Sequence, residues 1–529
     1  MAACTNENSA NSEIASWYNG RSVLITGGTG FMGKVLVEKL LRSCPGLKTI
    51  YLLIRPKKGQ DPKQRISQLV ELPLFDNLRK TKSDYLNKLV PISGDITQPD
   101  LGINSTDRQL LVENISVVFH SAATVKFDEA LRLSVEMNII GTKRLLQLCK
   151  QMQHLKAFIH VSTAYCNCDE TEIAEKIYPS KNDPEKIIQS IEHLEDDLLE
   201  GLTPKIIGQK PNTYTFTKAL AEQILVENCG SLPVAIVRPS IVTAALHEPV
   251  PGWVDNLNGP TGLFIGGGKG ILRTLLCYRN LKADMVPVDI AINLLIAVAW
   301  DTANNRNNKL MIYNCTSGNS NPVKWGDIEN WGRKYVLKHP LNNVIWYPGG
   351  SFKSSRLVNN ICIKLYHTLP AYIMDFIAII SGRKPIMVKI HDKMQKAVKC
   401  LEYFTTHEWV FHNENIVNLY SKLNNEDKNL FNFNIKTVKW ENYIEQYILG
   451  TKQYILKEDL STIPDAKQHL LRMYYVHRVS QVLIMYMFWR LLVSRSSTAQ
   501  DISNSSFDLA YRLCVNLKNS ILTRIQSYF

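Results

Sequence analysis

Short apolar runs alternate with helical patterns between residue 21 and about residue 315 of the chain. Most of these runs are continuously apolar rather than alternating, which is typical of strands that are covered on both faces. Strands that alternate with helices predict an α/β fold with a doubly wound parallel sheet and crossover helices. The predicted strands are SVLIT, TIYLLI, LVPISGD, VVFHSA, AFIHVST, VAIVRP and LMIYNC.

The pattern changes beyond about residue 350, where long helical segments such as LVNNICIKLYHTLPAYIMDFIAIISG replace the alternation. This change predicts a second, mainly helical unit. The sequence therefore predicts a flexible N-terminus over 1–15, an α/β domain over 16–350, a helical domain over 351–455 and a C-terminal tail over 456–529.

One apolar run near the C-terminus, VLIMYMFWRLLV, contains Arg490 and is flanked by Arg478 and Arg495. It is shorter than the roughly 20 residues that span a bilayer. Its aromatic and arginine side chains suit a membrane boundary. A helix over about 476–495 is therefore expected to lie in the membrane interface or to span it marginally, with a buried core helix as the alternative.

The composition is that of a folded protein, with 45% hydrophobic and 21% charged residues in a chain of 529. The formal net charge of +13 favours an anionic partner. Because no compact Lys/Arg run is interleaved with aromatics, we expect phosphorylated small molecules or an anionic membrane surface and no nucleic acid. A basic surface that only maintains solubility is the alternative. The sequence gives no prediction of the oligomeric state.

The eleven cysteines include no CxxC pair, which favours free thiols in a reducing compartment. Cys166 and Cys168 in AYCNC are expected to pack at a strand end, and no metal site is predicted. The N-terminal stretch MAACTNENSANSEIASW lacks a basic start and an apolar core, so we do not expect a secretory signal.

The stretch VLITGGTGFMGKVLVEKLL places a glycine turn between a strand and a helix, with a GxxGxxG spacing in place of the commoner GxGxxG. A tight turn, a close backbone approach and a helix N-terminus together bind the pyrophosphate of a dinucleotide. The domain over 16–350 is therefore predicted to be of Rossmann type. The cofactor contacts predicted in this stretch are Thr26, Gly27, Gly28, Thr29, Gly30, Phe31, Met32 and Gly33.

The end of the second strand indicates which dinucleotide binds. TIYLLIRP ends in Arg55 and is followed by Lys57 and Lys58, where a cofactor without a 2′-phosphate would prefer an acidic residue. A guanidinium binds a phosphate group through two charge-assisted hydrogen bonds. NADPH is therefore predicted over NADH, with a solvated strand-end charge as the alternative reading of Arg55.

Three further strand ends complete the predicted cofactor site. SGDIT follows the third strand and is placed to contact the adenine, and the small side chains of HSAATV after the fourth strand leave space for the nicotinamide ribose. VRPS ends a later strand at the same edge of the sheet. The predicted contacts are Asp95, Ile96, Ala122, Ala123, Thr124, Arg238, Pro239 and Ser240.

Tyr214 and Lys218 stand four residues apart in a run of good helix formers, so they share one face of a helix. A second YxxxK, formed by Tyr278 and Lys282, means that the spacing alone decides nothing. Position favours the first copy, because it lies between the strand ends HVSTAY, which carries Thr163, and VRPS. Ligands bind at the carboxyl ends of parallel strands, so we expect Tyr278 to be structural.

Thr163, Tyr214 and Lys218 suit the chemistry of hydride transfer. A hydride delivered to a carbonyl carbon leaves an alkoxide, which must be stabilised and protonated. The Tyr214 phenol, with an ordinary pKa near 10, donates well only if a cation stabilises its anion. Lys218 is expected to supply that charge and to hold the cofactor ribose, while Thr163 hydrogen-bonds the same oxygen. Alternation along the strand turns Ser162 to the opposite face.

The stretches TGGTGFMG, HVSTAY and YTFTK, in this order, resemble the extended short-chain dehydrogenase/reductase superfamily. WVDNLNGPTGLFIGGGKGILRTLLC and ADMVPVDIAIN are similar to the fatty acyl-CoA reductases, and YHTLPAYIMDFIAIISGRKP resembles the start of their C-terminal helical domain. The likeness runs from about residue 20 to residue 495 and shows no departure at the catalytic positions.

The resemblance implies an NADPH-dependent, four-electron reduction of a long-chain fatty acyl-CoA to the primary alcohol. The first hydride would give a hemithioacetal that expels CoA and leaves an aldehyde, which the second hydride reduces. The same relay residues would serve both steps. The resemblance also implies an endoplasmic reticulum membrane with the catalytic domain facing the cytosol. The peroxisomal membrane is the alternative, which an ending of QSYF rather than SKL disfavours.

Two other functions stay open. A reductase or epimerase of the same superfamily that acts on a sterol or a nucleotide sugar would share the glycine turn and the relay. The helical unit after residue 350 and the GPTGLFIGGGKG stretch speak against it. A noncatalytic NADP(H)-binding membrane scaffold would not need all three relay residues.

Overall fold

The computed structural model describes residues 11–56, 59–81, 84–304 and 310–494, together with positions 508, 512 and 515. All the predicted strands form a single seven-stranded sheet with the order β7-β6-β5-β4-β1-β2-β3, in which every pair is parallel. Strands β2 and β3 are added on one side of β1, and β4 to β7 are added on the other side, so the strand order reverses between β1 and β4. Open α/β sheets bind ligands at such a point. The strands are β1 (Ser22–Thr26), β2 (Thr49–Ile54), β3 (Leu89–Ser93), β4 (Ile115–His120), β5 (Ala157–Val161), β6 (Val234–Pro239) and β7 (Met311–Cys315).

Helices cover both faces of this sheet. Val23 and Ile25 of β1 lie in one hydrophobic core, whereas Leu24 between them lies in the other. Because both faces are buried, the strands need apolar side chains at successive positions. The predicted Rossmann-type, doubly wound α/β fold is confirmed.

The helices that cover the sheet and extend it are distributed along the described chain. Those before residue 350 are Glu13–Trp17, Phe31–Ser43, Pro62–Val70, Asp76–Thr81, Ser105–Asn114, Leu131–Val135, Gly141–Cys149, Pro184–His193, Asp196–Ile207, Thr213–Asn228, Pro260–Gly268, Val288–Asn304 and Trp325–Lys338. Those after it are Arg356–Ile363, Leu369–Ile380, Met387–Thr406, Glu414–Lys422, Asn425–Leu430, Trp440–Gly450 and Ile463–Val493. The turns Glu136–Ile140, Lys364–Thr368 and Thr451–Ile455 are π-helical.

The mainly helical chain after residue 350 shares a core with the α/β part. Ser351–Lys353 pairs with Thr274–Leu276, and Val410–Phe411 pairs with Glu172–Ile173. Tyr443 is buried in the same core as β1, and its hydroxyl donates to the Ala244 carbonyl at 2.7 Å. The two predicted domains therefore interlock through strand pairs and through common buried side chains.

The N-terminal prediction needs a correction. Residues 1–10 lie outside the described residues, but Glu13–Trp17 is a helix and Ile14 is fully buried. Ser12 caps this helix and donates to the Asp427 carboxylate at 2.5 Å. A flexible segment that reaches residue 15 is therefore wrong from Ser12 onward, because the C-terminal part of the chain supplies a buried partner.

Two helical segments expose long apolar faces. The helix predicted over about 476–495 is the later part of Ile463–Val493, and Arg495 lies outside the described residues. The helical run Arg356–Ile380 is the one described stretch that is long and apolar enough to cross a bilayer. The sequence pattern predicted a membrane contact in the C-terminal segment but not in Arg356–Ile380.

Candidate active site

The predicted site residues gather at the carboxyl ends of adjacent strands. The glycine turn follows β1, Ala122 follows β4, Thr163 follows β5, and Pro239 ends β6. Since β6, β5, β4 and β1 are consecutive neighbours in the sheet, these segments share one edge. The structure thereby brings together residues that are far apart in sequence.

The glycine turn is packed too closely to accept side chains. Gly27 has φ +75°, and a Cβ added there would come within 2.7 Å of the Ala122 nitrogen. A Cβ on Gly33 would overlap the Gly27 carbonyl oxygen. Gly30 begins the helix Phe31–Ser43 without any side-chain cap, so backbone N–H groups of the first turn are free to bind an anion. This geometry fits the pyrophosphate of a dinucleotide.

The other residues of the turn have defined roles. Thr26 hydrogen-bonds His120 Nδ1 at 2.7 Å and accepts from the Ala122 N–H at 3.3 Å, which fixes the strand end. The Phe31 ring stacks on Trp253 with a centroid distance of 5.5 Å, and Met32 packs against the core. The side chains of Phe31 and Met32 are therefore engaged in packing within the protein.

Basic side chains surround the end of β2. Arg55 is 65% exposed and lies 3.9 Å from the Asp95 carboxylate, while Lys57 and Lys58 lie outside the described residues. Arg65, which the sequence analysis missed, donates to the Arg55 carbonyl at 2.7 Å and to the Thr29 hydroxyl at 3.2 Å. A second guanidinium is thus placed over the glycine turn. Its signal in the sequence was an arginine in the first turns of the helix that follows β2.

The predicted adenine side is built from short local contacts. The Asp95 carboxylate accepts from the Thr97 N–H at 3.0 Å and from the Thr97 hydroxyl at 2.9 Å. Ile96 is buried against Gly141, where a Cβ would come within 3.2 Å of the isoleucine. The Asp95 carboxylate consequently has a fixed orientation beside Arg55.

The loop after β4 is held by an asparagine that the sequence analysis also missed. Thr124 donates its N–H to Asn138 Oδ1 at 3.0 Å, and Asn138 Nδ2 donates to the Thr217 hydroxyl at 2.9 Å. Asn138 lies in the π-helical turn Glu136–Ile140, and such turns are frequent at functional sites. Ala122 and Ala123 contribute only methyl side chains to this loop.

The helix Thr213–Asn228 carries the relay. The Asn212 side chain caps it by accepting from the Thr215 N–H at 2.9 Å. Tyr214 lies near enough to Thr163 for that side chain to lower the pKa of the phenol, and the Lys218 ammonium donates to the Val161 carbonyl at 2.7 Å. The three predicted catalytic residues therefore meet at the end of β5.

Burial sets the electrostatics of the relay. Burial raises the pKa of Tyr214 to about 12, and the nearby Thr163 side chain opposes that rise. Burial lowers the pKa of Lys218 to about 8, against the opposing charge of Glu222. The phenol therefore stays protonated at neutral pH, and the lysine loses its charge just above neutrality.

Glu222 is the centre of a buried network behind the relay. It accepts from the Ser162 hydroxyl at 2.5 Å, from the Cys166 thiol at 3.3 Å, and from Arg238 Nη2 at 2.5 Å. The Ser162 hydroxyl is thus engaged by Glu222. The network lies between β5, β6 and the relay helix and holds them together.

The structure corrects the prediction for Arg238. Its side chain is fully buried, and all three guanidinium nitrogens bond Glu222 or the Ala174 and Lys176 carbonyls. Four of its five N–H donors are used inside the protein, so the side chain is committed to the buried Glu222 rather than turned toward a cofactor. Pro239 accepts from Thr163 at 3.4 Å, which places its carbonyl, but not Arg238, at the site. Ser240 is buried beside Asp284.

Two buried histidines with mutually tilted rings lie near the relay. His120 and His160 are buried with their ring centroids 5.2 Å apart. Burial and the Lys218 charge lower the pKa of His120 to about 3 and that of His160 well below its usual value. Both rings are therefore neutral and do not compete with Lys218 as cations.

The second YxxxK copy lies elsewhere. Tyr278 is partly exposed and donates its backbone N–H to the Thr405 carbonyl, while Lys282 Nζ lies 3.7 Å from the Glu408 carboxylate. Both residues serve contacts with the chain after residue 400. The structure places neither of them at the strand-end edge that holds Tyr214.

An apolar wall adjoins the Tyr214 phenol. The Phe127 ring stacks on Tyr214 at 5.8 Å and contacts Phe404 at 5.2 Å, and Phe404 in turn contacts Tyr165 at 5.0 Å. Phe404 comes from the helix Met387–Thr406, in the part of the chain that the sequence analysis assigned to a separate domain. The wall makes one side of the site suitable for a hydrocarbon.

A dinucleotide turn, a Tyr/Lys/Thr relay and a doubly wound sheet define the class of protein: a nicotinamide-dependent reductase of the extended short-chain dehydrogenase/reductase type. An NAD-binding family model described as male sterility protein matches residues 25–295, and a second model with the same description matches 366–458. Two solved reductase domains share the fold. The terminal R domain of the myxalamid pathway has a TM-score of 0.53 at 18% identity, over 85% of this chain and 97% of that chain. The R domain of a nonribosomal peptide synthetase from Mycobacterium tuberculosis has a TM-score of 0.54 at 16% identity, over 86% and 96%.

The chain belongs to the fatty acyl-CoA reductase family. It is 44% identical to fatty acyl-CoA reductase 1 of Xenopus laevis, over 92% of this chain and 95% of that protein. It is 45% identical to fatty acyl-CoA reductase 2 of Mus musculus, over 93% and 95%. It is 42% identical to fatty acyl-CoA reductase 1 of Homo sapiens, over 94% and 97%. The resemblance stated from the motifs is confirmed, and the protein is an oxidoreductase.

Proposed function

We propose that this protein reduces long-chain fatty acyl-CoA to the primary fatty alcohol with NADPH, through a hemithioacetal and an aldehyde. One observation carries the proposal: the Thr163, Tyr214 and Lys218 relay lies at the ligand-binding edge of the sheet, against the apolar wall of Phe127 and Phe404. A proton donor beside a hydrocarbon surface fits a carbonyl at the head of an acyl chain. Relatives named as fatty acyl-CoA reductases support this substrate.

The residues of the chain account for the proton chemistry. The bound nicotinamide would supply hydride. Tyr214, kept protonated by its raised pKa, would donate its proton to the alkoxide oxygen that forms after each hydride addition. The Thr163 hydroxyl would hydrogen-bond the same oxygen, and Lys218 would offset the charge left on the phenol. After CoA is released, the carbonyl carbon of the aldehyde would stay beside Tyr214, where the second reduction would take place.

The choice of NADPH rests on the basic side chains near β2. Arg55 is exposed at the strand end, and Arg65 reaches from the next helix to the glycine turn. A 2′-phosphate would meet at least one guanidinium there. Among the described residues, the carboxylate that pairs with Arg55 is that of Asp95. Charge-assisted hydrogen bonds of this type favour the phosphorylated cofactor.

We propose a membrane surface as the second partner, because two described helical segments expose apolar faces. The endoplasmic reticulum, with the catalytic part facing the cytosol, follows from the family resemblance. The peroxisomal membrane is the alternative location.

The test is product analysis by gas chromatography on membranes that carry the protein, with NADPH and acyl-CoAs of graded length. We expect alcohol from the wild type and none from Tyr214→Phe, because the variant lacks the phenolic proton. Tyr278→Phe is the matched control, since it removes the phenol of the second YxxxK copy, and it should keep wild-type activity. If the wild type forms neither alcohol nor aldehyde at any chain length, the acyl-CoA substrate is wrong and the sterol, nucleotide sugar or scaffold functions move ahead.

A further inference from the structure

Residues 356–406 form what we call the apolar hairpin. Its first arm is the helical run Arg356–Ile380, its second arm is the helix Met387–Thr406, and residues 381–386 join them. The outer face of the first arm is apolar and open to solvent: Leu357 is 71% exposed, Phe376 64% and Ile380 70%. An exposed apolar face of this size in a folded protein indicates a contact with another apolar surface.

The opposite face of the first arm is fixed to the protein by polar side chains. Asn359 accepts from the Thr274 hydroxyl at 2.8 Å, and His367 accepts from the Arg273 N–H at 2.8 Å. The Asp375 carboxylate accepts from the backbone N–H groups that begin the second arm, at 2.8 to 3.0 Å. A helix with one face bound in this way cannot be surrounded by lipid on all sides. It suits a position in the plane of a membrane interface.

A basic rim borders the apolar face. Arg383 and Lys384 stand in the turn, and Lys389, Lys393 and Lys396 form a stripe along one side of the second arm at helical spacing. All five are exposed, and in the described part of the chain none of them ion-pairs with a carboxylate. Asp392 is the one acidic residue between 381 and 401. The charge of this rim complements an anionic surface.

We propose that the apolar hairpin docks on a bilayer that contains anionic phospholipid, with Phe376 and Ile380 between the lipids and the Lys389, Lys393 and Lys396 stripe at the phosphate groups. A bilayer supplies both the apolar interior and the anionic rim that these two surfaces need. A second copy of the chain fits less well, because a symmetric contact through this face would bring two basic rims together.

This docking surface adjoins the C-terminal helix. Arg273, which bonds His367 of the hairpin, also lies over the Tyr366 ring and donates to the Tyr347 carbonyl at 3.4 Å. Tyr347 stacks on His477 of Ile463–Val493 at 6.0 Å. The base of the hairpin and the C-terminal helix therefore flank the same segment of the protein.

The second arm joins the docking surface to the active site. Its 20 residues cover about 30 Å at 1.5 Å per residue. The arm begins beside the exposed turn and ends at Phe404, which contacts Phe127 next to Tyr214. The contact of this arm with the active-site wall bears on the proposed function, whereas the docking of the hairpin does not depend on it.

The first experiment measures co-flotation of the purified full-length protein with phosphatidylcholine vesicles that contain or lack phosphatidylserine. Phe376→Glu/Ile380→Glu should lower the vesicle partition coefficient at least about tenfold, because both side chains lose their place in the lipid. Leu198→Glu/Val226→Glu is the matched control: both positions are exposed and helical but lie outside the hairpin, and binding should be unchanged. NADPH binding by fluorescence shows that each variant is folded.

The contribution of the C-terminal helix is separated in the same assay. The hairpin pair is repeated in a chain that carries Leu483→Glu/Met487→Glu, which changes two exposed positions of that helix. We expect a further loss of binding in the combined variant. If adding the hairpin pair leaves flotation unchanged both in the wild-type chain and in the Leu483→Glu/Met487→Glu chain, the proposal is overturned, even where alcohol formation is intact.

The second experiment tests the basic rim. Lys389→Glu/Lys393→Glu/Lys396→Glu should remove most of the preference for phosphatidylserine, since each basic side chain near the surface contributes a factor of about five. Lys48→Glu/Lys150→Glu/Lys156→Glu, which changes three exposed lysines elsewhere, should keep the preference. If the hairpin variants leave flotation unchanged but convert a dimer to a monomer by light scattering, a second copy of the chain covers this face instead.

Discussion

At the scale of single residues, the charge state of Lys218 depends on its surroundings. The ammonium is 3% exposed, its Nζ donates to the Val161 carbonyl, and its pKa falls through burial to about 8. The negative charge of Glu222 acts in the opposite direction and keeps that pKa from falling further. Glu222, four residues after Lys218 on the same helix, is therefore a positioning residue that raises the pKa of Lys218 through its charge.

We expect kcat/KM to decline as the pH rises through about 8, because Lys218 loses its proton there. Glu222→Gln removes the charge that raises the Lys218 pKa, so the decline should move to lower pH. Glu227→Gln, an exposed carboxyl on the same helix, should leave the profile unchanged. The midpoint of the decline is the quantity to measure, since Glu222→Gln also deprives Arg238 of its buried partner. An unchanged or higher midpoint would contradict the role of Glu222.

Arg55 is the residue that should set the cofactor preference. Arg55→Asp removes a charge-assisted hydrogen bond of about 1.5–3 kcal/mol to the 2′-phosphate and repels it, so KM for NADPH should rise about 10- to 100-fold. KM for NADH should fall or stay equal, because a carboxylate accepts from ribose hydroxyls. Lys48→Asp, at the other end of β2, is the control. An unchanged ratio of the two constants would show that Arg55 is only a solvated charge.

At the scale of elements, the glycine turn and the helix after it act as one unit. The uncapped start of Phe31–Ser43 supplies the N–H groups, and the close approach of Gly33 to the Gly27 carbonyl sets the distance between turn and helix. The start of the second arm of the apolar hairpin also has N–H groups without partners inside its own helix, and the Asp375 carboxylate of the first arm accepts from them.

Gly33→Ala tests the turn. The added methyl would overlap the Gly27 carbonyl oxygen, so helix and turn must separate, at a cost of about 1–3 kcal/mol and with more than tenfold weaker NADPH binding by fluorescence titration. Gly201→Ala is the control, because nothing lies within 4 Å of a Cβ there and the position is inside a helix. It should stabilise the protein slightly. Equal NADPH affinity in the two variants would mean that the turn tolerates the shift.

At the scale of the whole molecule, the chain after residue 350 completes the core of the α/β part. Tyr443 and Tyr447 are buried with residues of β1 and of the helix Val288–Asn304. The Thr405 hydroxyl donates to the Leu276 carbonyl at 2.9 Å, across the joint between the two parts. Phe404 beside it forms part of the active-site wall. Structure and function therefore cross the boundary that the sequence pattern places at 350.

Tyr443→Ala tests whether the two parts unfold together. The variant leaves a cavity and removes the buried donor of the Ala244 carbonyl, so the free energy of unfolding should fall by about 3–5 kcal/mol. By hydrogen exchange, both Ser22–Thr26 and Trp440–Gly450 should lose protection to the same extent. Tyr475→Ala, at a 60% exposed tyrosine, should change neither segment. Loss of protection confined to 440–450 would show that the parts are separate cooperative units.

The sequence by itself determined the strands, the glycine turn and the relay spacing. Each of these depends on neighbours within a few residues: the continuous apolar runs of the strands, the glycines that must tolerate close packing, and Tyr214 four positions before Lys218 on a helix. Such local patterns can be recognised in the sequence without knowing which distant segments the fold brings together. The same locality explains why the motifs sufficed to place the chain in its family.

The tertiary structure alone decided the pairings between distant segments. Arg238 looked like a cofactor contact because it ends a strand, but the fold sets it against Glu222, 0% exposed. Phe404 meets Phe127 only because the second arm of the hairpin packs on the α/β part. Whether an apolar helix face is buried or open, as in the apolar hairpin, depends in the same way on what packs against it. Periodicity reports that a face is apolar, and only the folded chain shows which surface covers it.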